Sequence, residues 1–303
     1  MKISLLLVTY NRLELLKKAL NNIELFANGI SELIIVDNFS NDGTSKYLKE
    51  KFTLTESDER FETVVAKSDL LEGNFIDGVK VKYIRLHDNT GGSGGFHEGM
   101  SYFSTKSSCE WVWGMDDDAF VQENSLDNLK TAIQEHPNNY AFASNCNSDT
   151  NFIENYKSVN NWMFVGFCVK RDLVNKVGLP VSDYFIYHDD SEYAERIIRY
   201  GYEIIKVKNS IIEHGDLSQR EFWHKEILGL KLSHPSMSEW KLYYYLRNDI
   251  HKVSYNSIRK IKRIVKVGIS VIELMIVNPN CSRIALMAIF HGLIGKKGKV
   301  IAP

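Results

Sequence analysis

The sequence predicts an α/β protein: a mixed, mostly parallel central sheet flanked by helices, with a helical extension at the C-terminus. Three observations lead there. Short apolar runs alternate with helical patterns from Ile3 to Met115, the rhythm of strand–helix–strand units. Glycine- and aspartate-rich segments follow directly on the apolar runs. The last third turns basic and helix-patterned. With 303 residues, 44% of them hydrophobic and 12% aromatic, the chain can build one large domain and a substantial appendage. The expected division is 1–235 and 236–303.

The elements follow in order. Ile3 to Tyr10 reads as a first strand, Leu13 to Ile23 as an amphipathic helix and Glu32 to Asp37 as a second strand. A helix near Thr44 to Lys51 comes next. Phe52 to Lys80 breaks the alternation; it is polar and acidic, an insertion or surface hairpin. A strand near Val81 to Leu86, a helix from about Gly95 to Ser104 and a buried strand from Trp111 to Met115 restore the pattern. A helix start lies near Asn124 and Ser125. His188-Asp189-Asp190 opens another helix, an apolar strand precedes His214, and Ser238 to Lys252 forms a helix carrying YYYLRN. In parallel sheets ligands bind outside the carboxyl ends of the strands. TYNR, Asp37, NTGGSGG and DDD each follow a strand, so they converge on one nucleotide-type site.

Charge is unevenly spread. From Asn256 onward nine Lys/Arg stand against one acid, Glu273, a tail of +8 that leaves −9 on the rest of a chain whose net charge is −1. One end is therefore expected to meet an anionic partner. Cys109, Cys146, Cys168 and Cys281 have no CxxC spacing and read as core thiols of a reducing compartment. MKISLLLVTYNR has a short apolar run and no small-residue cleavage site, so it reads as a strand rather than a signal peptide. The expected location is cytoplasmic.

Asp116, Asp117 and Asp118 in WVWGMDDDAF are the most informative residues. Three ionised carboxylates at a strand tip repel one another unless a cation or water neutralises them. Alternating oxygen ligands suit Mg²⁺ or Mn²⁺ with positions open for a diphosphate; a solvated acidic turn is the alternative. Asp37 in LIIVDN suits hydrogen bonding to a base or ribose, or forms a turn. The run Asn89-Thr90-Gly91-Gly92-Ser93-Gly94-Gly95 lets backbone approach a ligand closely. It is not GxGxxG, because His97 replaces the last glycine, nor a P-loop, which needs GK before Ser or Thr. That argues against a dehydrogenase and a P-loop kinase.

VTYNR, IIVDN, NTGGSGGF, WVWGMDDDA and FIYHDDSEYAERI together resemble the inverting family-two glycosyltransferases with a single nucleotide-sugar-binding fold, the GT-A type. The GGSGGF and DDDA spellings resemble more narrowly the bacterial galactofuranosyltransferases and their rhamnosyltransferase relatives. The resemblance covers Met1 to Asp216 and continues weakly through YYYLRN, Tyr243 to Asn248. It implies that Thr9, Tyr10, Asn11, Arg12 and Asp37 hold the nucleotide, and that Asn89, Gly91 and Gly92 line the donor pocket. It implies that Asp116 and Asp118 hold the metal, with His214 in SIIEHGD as a third ligand, and that Asp117 faces the donor sugar. A histidine after an apolar strand can also be purely structural.

An inverting transfer needs a base within reach of the acceptor hydroxyl. The resemblance puts it at the second acid of the later motif, Asp190, with His188 and Asp189 orienting acceptor hydroxyls; helix capping is the alternative. Trp162 in NWMFVGF is either a sugar-stacking platform or a core residue. Arg247 could pair with a donor phosphate or with a buried acid. Arg259, Lys260, Lys262, Arg263 and Lys266 interleave with Ile258, Ile261, Ile264, Val265 and Val267. The apolar run to Val277 is too short and interrupted to span a bilayer. After Asn278-Pro279-Asn280 come Ile284 to Ile294 and Lys296, Lys297 and Lys299. Such basic amphipathic helices could lie on an anionic membrane, pack on the catalytic domain or form a homo-oligomer. No aromatic-basic stripe points to nucleic acid.

The expected activity is metal-dependent, inverting transfer of galactofuranose from a UDP-sugar donor to a lipid-linked glycan acceptor of a bacterial surface polysaccharide. A rhamnosyltransferase using dTDP-rhamnose is the nearest alternative. A nucleotide-sugar-binding assembly protein or a sugar nucleotidyltransferase is the alternative of another class. The acidic residues argue against the first of these, and the lack of a glycine-rich phosphate loop with Arg and Lys after the first strand argues against the second.

Overall fold

The computed structural model describes residues 1–148, 153–215, 221–227, 229–252 and 257–302. Asp216 and Asn256, which bound segments singled out in the sequence, lie outside the described residues, as do the side chains of 257–260. The chain forms two units, 1–182 with 190–215, and 183–189 with 216–303. The division falls earlier than the expected 235/236 boundary.

The first unit is built on strands β1 (Ile3–Thr9), β2 (Glu32–Asp37), β5 (Lys80–Leu86) and β6 (Trp111–Asp116), all parallel, in the spatial order β5-β2-β1-β6. Beyond β6 the sheet becomes mixed: β10 (Phe167–Lys170) runs antiparallel between β6 and β8 (Ala141–Cys146). β11 (Ile204–His214) then pairs parallel to β8 and antiparallel to β7 (Ala119–Val121) and β9 (Tyr156–Val159). At the other edge β3 (Thr55–Glu56) and β4 (Ser68–Asn74) add antiparallel to β5. The irregular stretch after Phe52 is thus a sheet-edge hairpin, as its polar composition implies.

Every residue of β1 and β2 is buried, as required of parallel strands covered on both faces. Leu5 and Leu7 face one layer, with Leu16 and Leu20 of α1 (Leu13–Glu24), Leu48 of α2 (Thr44–Phe52) and Leu129 of α4 (Ser125–Glu135). Leu6 and Val8 face the other, with Phe96 and Met100 of α3 (Gly91–Thr105), Leu173 of α5 (Arg171–Val177) and Tyr193 of α6 (Asp189–Arg199). Each buried leucine contributes roughly 1.5–3 kcal/mol.

Helix α3 begins at Gly91, not near Gly95, so the glycine run forms its first turn. A Cβ on Gly95 would stand 2.6 Å from Val8 Cγ1, and one on Gly99 2.3 Å from Leu6 Cδ1. These glycines let the helix settle directly on β1.

In the second unit, β12 (Phe222–Ile227) and β13 (Leu230–Pro235) form a hairpin. Helices α7 (Glu239–His251), α8 (Ser257–Val277) and α9 (Ser282–Leu293) pack around Leu242, Leu246, Leu274 and Ala285.

Candidate functional site

From β1 the chain moves to β2 and β5 on one side, then returns to lay β6 on the other side of β1. At such a reversal the usual ligand position in parallel sheets is outside the carboxyl ends of the strands, here β1 and β6. Thr9 and the aspartates meet there. Thr9 Oγ1 donates to Asp117 Oδ2 at 2.7 Å. Arg12 Nη1 donates to Asp117 Oδ1 at 3.2 Å and to Asp118 Oδ2 at 2.9 Å. Asp117 is 2% exposed; burial pushes its carboxyl up to about 6, against the opposing pull of Thr9 and Arg12. Burial also raises Asp118, but the hydrogen bond and charge of His214, aided by Arg12, hold it below the ordinary carboxylate value.

The third member of the cluster comes from the far end of the sheet. After the acidic turn the chain doubles back as β7 and pairs with β11, setting Ala119 opposite His214. Gly215 N–H donates to Asp118 O at 3.1 Å, and His214 N–H to Asn147 Oδ1 at 2.8 Å. His214 Nε2 then lies 3.1 Å from Asp118 Oδ1. Ligand atoms of Asp116, Asp118 and His214 all fall within 4.8 Å of one another. Two carboxylates and an imidazole form a donor set for a hard or borderline divalent ion. His214 Nδ1 is buried without a hydrogen-bond partner among the described residues. The residues present therefore fit Mn²⁺ or Mg²⁺.

The nucleotide-side residues form a knitted set of loops. Asn38 N–H donates to Thr9 O, Asn11 N–H to Ser40 Oγ and Asn41 N–H to Asn11 Oδ1, at 2.8–2.9 Å. Asn11 has φ 49°, the left-handed region asparagine tolerates. Tyr10 is exposed. Asp37 is 0% exposed, accepting from Ser40 N–H at 2.8 Å and Tyr83 Oη at 2.7 Å. Here it braces the loop after β2. Asn89 Oδ1 accepts from Gly91 N–H at 2.9 Å, and Asn38 Nδ2 donates to Gly91 O at 2.9 Å. Asn89 and Gly91 are thus tied into a buried polar knot, whereas the Cβ position of Gly92 meets nothing within 4 Å.

Asp190 stands in the first turn of α6, its Oδ1 accepting from Ser191 N–H. Trp162 Nε1 donates to the Asp190 carbonyl at 3.1 Å. Trp162 is 5% exposed, between the rings of Phe167 and Tyr193 at 5.7 and 6.2 Å. It is a core residue rather than an open stacking platform, because both rings already pack on it. Its remaining edge lines a cavity of about 260 Å³ with Asn161, Met163, Lys157 and Lys206. Asp189 is buried. His188, in the second unit, is driven down to about 4 by burial, with Lys252 and Arg263 adding to the shift and Asp249 opposing it. Its imidazole is neutral at neutral pH. The sequence reading overlooked Asn147, which holds His214, and Asn38, at the centre of the loop knot. The asparagine after LIIVD was the available signal for Asn38.

Solved structures share this fold. A mannosyltransferase from Pyrobaculum calidifontis, in complex with GDP-Man and Mn²⁺, aligns with a TM-score of 0.55 at 14% identity, covering 99% of this chain and 76% of that one. TarS 1-349 from S. aureus, in complex with UDP-GlcNAc, aligns with a TM-score of 0.52 at 12% identity, covering 96% and 81%. No curated protein sequence matches. The family pattern of glycosyl transferase family 2 matches residues 4–191, the segment that carries TYNR, the glycine turn, the aspartates and the start of α6. The chain belongs to glycosyl transferase family 2 and is a glycosyltransferase of the GT-A fold.

Proposed function

We propose that this enzyme transfers galactofuranose, with inversion, from UDP-galactofuranose to a hydroxyl of a lipid-linked bacterial surface glycan. The observation that carries the donor-diphosphate part is the convergence of Asp116, Asp118 and His214 within 4.8 Å, beside Thr9 and Arg12. The GGSGGF and DDDA spellings support the choice of sugar. Asp116, Asp118 and His214 would hold Mn²⁺ or Mg²⁺, which supplies charge stabilisation for a departing diphosphate. Tyr10, Asn11, Arg12 and Asp37 frame the nucleotide, Asn89, Gly91 and Gly92 line the donor pocket, and Asp117 orients the donor sugar. Arg12, half exposed and bonded to two aspartates, adds a positive charge for the diphosphate. His188 and Asp189 orient the acceptor.

Asp190 takes the acceptor hydroxyl proton as that oxygen bonds to the anomeric carbon. The bond from that carbon to the diphosphate breaks, its electron pair leaving with UDP. No covalent enzyme intermediate forms. The C-terminal helices rest on the inner face of the membrane, where the acceptor lipid is held. No described helix is long and apolar enough to cross a membrane.

The test is donor hydrolysis without acceptor, read as nucleoside diphosphate release. Mn²⁺-dependent UDP release from UDP-galactofuranose, with none from dTDP-rhamnose, is expected. Release from the rhamnose donor alone makes the enzyme a rhamnosyltransferase. No release from any nucleotide sugar removes the proposed chemistry. His214→Ala is expected to weaken metal affinity, and an unchanged metal titration would return His214 to a structural role.

A further inference from the structure

The YYYLRN run of α7 holds an arginine and an asparagine that are both 0% exposed. Arg247 Nη1 donates to Gly298 O at 2.7 Å, and Nη2 to Tyr184 O at 3.0 Å and Asp183 O at 3.4 Å. Its Nε donates to Asn248 Oδ1 at 2.9 Å. Asn248 Nδ2 donates to Tyr184 O and Ile186 O at 2.8 Å each, and to Tyr187 O at 3.1 Å. Tyr243 and Tyr244 flank the guanidinium at 5.4 and 4.8 Å. Two adjacent side chains thus gather backbone carbonyls from one short stretch, 183–187.

That stretch is strained. Phe185, Tyr187 and His188 have φ of 67°, 67° and 68°, where a non-glycine residue costs about 1–2 kcal/mol each. Such conformations persist only where surrounding contacts over-determine them, and they cluster at functional sites. The turned-in carbonyls are buried at Tyr184 and part-buried at Asp183, Ile186 and Tyr187 and would carry a desolvation penalty without donors. Arg247 and Asn248 supply those donors.

We infer that Arg247 and Asn248 are positioning residues: by clamping the carbonyls of 183–187 they set the stretch that presents His188 and Asp189 to the acceptor and leads into Asp190. This rests on the reading that those three residues serve the acceptor. None of these hydrogen bonds goes to Asp116, Asp118 or His214, so the clamp is expected to bear on acceptor transfer rather than on donor binding.

The decisive variant is Asn248→Asp, nearly equal in size but with the amide donors replaced by carboxylate oxygen facing three carbonyls. In the full-length protein, acceptor transfer is expected to fall on the order of 10- to 100-fold. Acceptor-independent donor hydrolysis and Mn²⁺ affinity should stay within about twofold, since the donor side is untouched. Parallel loss of transfer and hydrolysis would mean a purely structural role and would overturn the inference, as would unchanged transfer. Should Asn248→Asp fail to fold, Arg247→Lys, which keeps the charge but loses the fork, is read by the same ratio. Hydrogen exchange supplies an activity-free readout: amides of 184–190 should exchange faster in Arg247→Lys while β1 and β6 are unchanged. Uniform exchange would overturn the clamp. Absence of hydrolysis in the wild-type enzyme would overturn the proposed function instead, leaving the exchange result to judge the clamp.

Discussion

At the scale of single residues, the three consecutive aspartates have three different surroundings. Asp117 is locked inward by Thr9 and Arg12, Asp118 faces His214, and Asp116 joins the ligand cluster from the end of β6. On the acceptor side, Asp190→Asn is expected to leave donor affinity unchanged while turnover falls by ~100-fold or more, as for a lost general base; steady-state kinetics with both substrates checks it. His188 makes a pH-dependent contribution to stability. Its folded pKa, about 4, lies below the ordinary 6.5, so the unfolded chain binds more protons between those values. Stability is therefore full above pH 6.5 and declines as pH falls toward 4. His188→Gln should flatten that part of a melting-temperature profile between pH 7 and 4.5; an unaltered profile would contradict it. The acids and His214 were readable because each sits at the end of an apolar run. Asn147 was not, since it is a loop asparagine whose partner lies 67 residues away.

At the scale of elements, α3 starts one turn before the helix expected from about Gly95. Low helix propensity argues against a helix at Gly91 to Gly95, but tertiary fit overrides it: Gly95 lies against Val8 and, a turn further on, Gly99 lies against Leu6, where a Cβ would clash. Gly99→Ala places a Cβ 2.3 Å from Leu6 Cδ1 and 3.1 Å from Val36 Cγ2. It should destabilise by about 1–3 kcal/mol through overpacking, measured by denaturant unfolding; a neutral result would show that α3 can shift outward. The parallel strands were legible because burial on both faces gives them continuous apolar runs. β7, β9 and β10, of three or four residues each, are too short for periodicity to register. Their places come from pairing with distant strands, which no local pattern encodes.

At the scale of the whole molecule, the second unit carries an outward apolar stripe on each of two helices. Ile261, Val265, Ile269 and Ile272 on α8, and Leu286, Phe290, Leu293 and Ile294 at α9 and its end, are 53–61% exposed. Exposed Lys262 and Lys266 border the first stripe and exposed Lys296 follows the second, a pattern suited to an anionic bilayer surface. Full-length protein should float with phosphatidylglycerol vesicles and not with phosphatidylcholine alone. Val265→Glu combined with Phe290→Glu should abolish flotation, while unchanged flotation, or a dimer lost in the variant, would assign the stripes to subunit contact. The basic tail was plain in the sequence, but which of its faces is uncovered depends on how α8 and α9 pack. The pairing of β7 with β11 has a consequence for biosynthesis. His214 is made almost a hundred residues after Asp116, and only closure of that last strand pair brings imidazole and carboxylates together. On the proposed metal role of Asp116, Asp118 and His214, a nascent chain still lacking β11 would carry an incomplete cation site and would not yet hold metal or activated sugar.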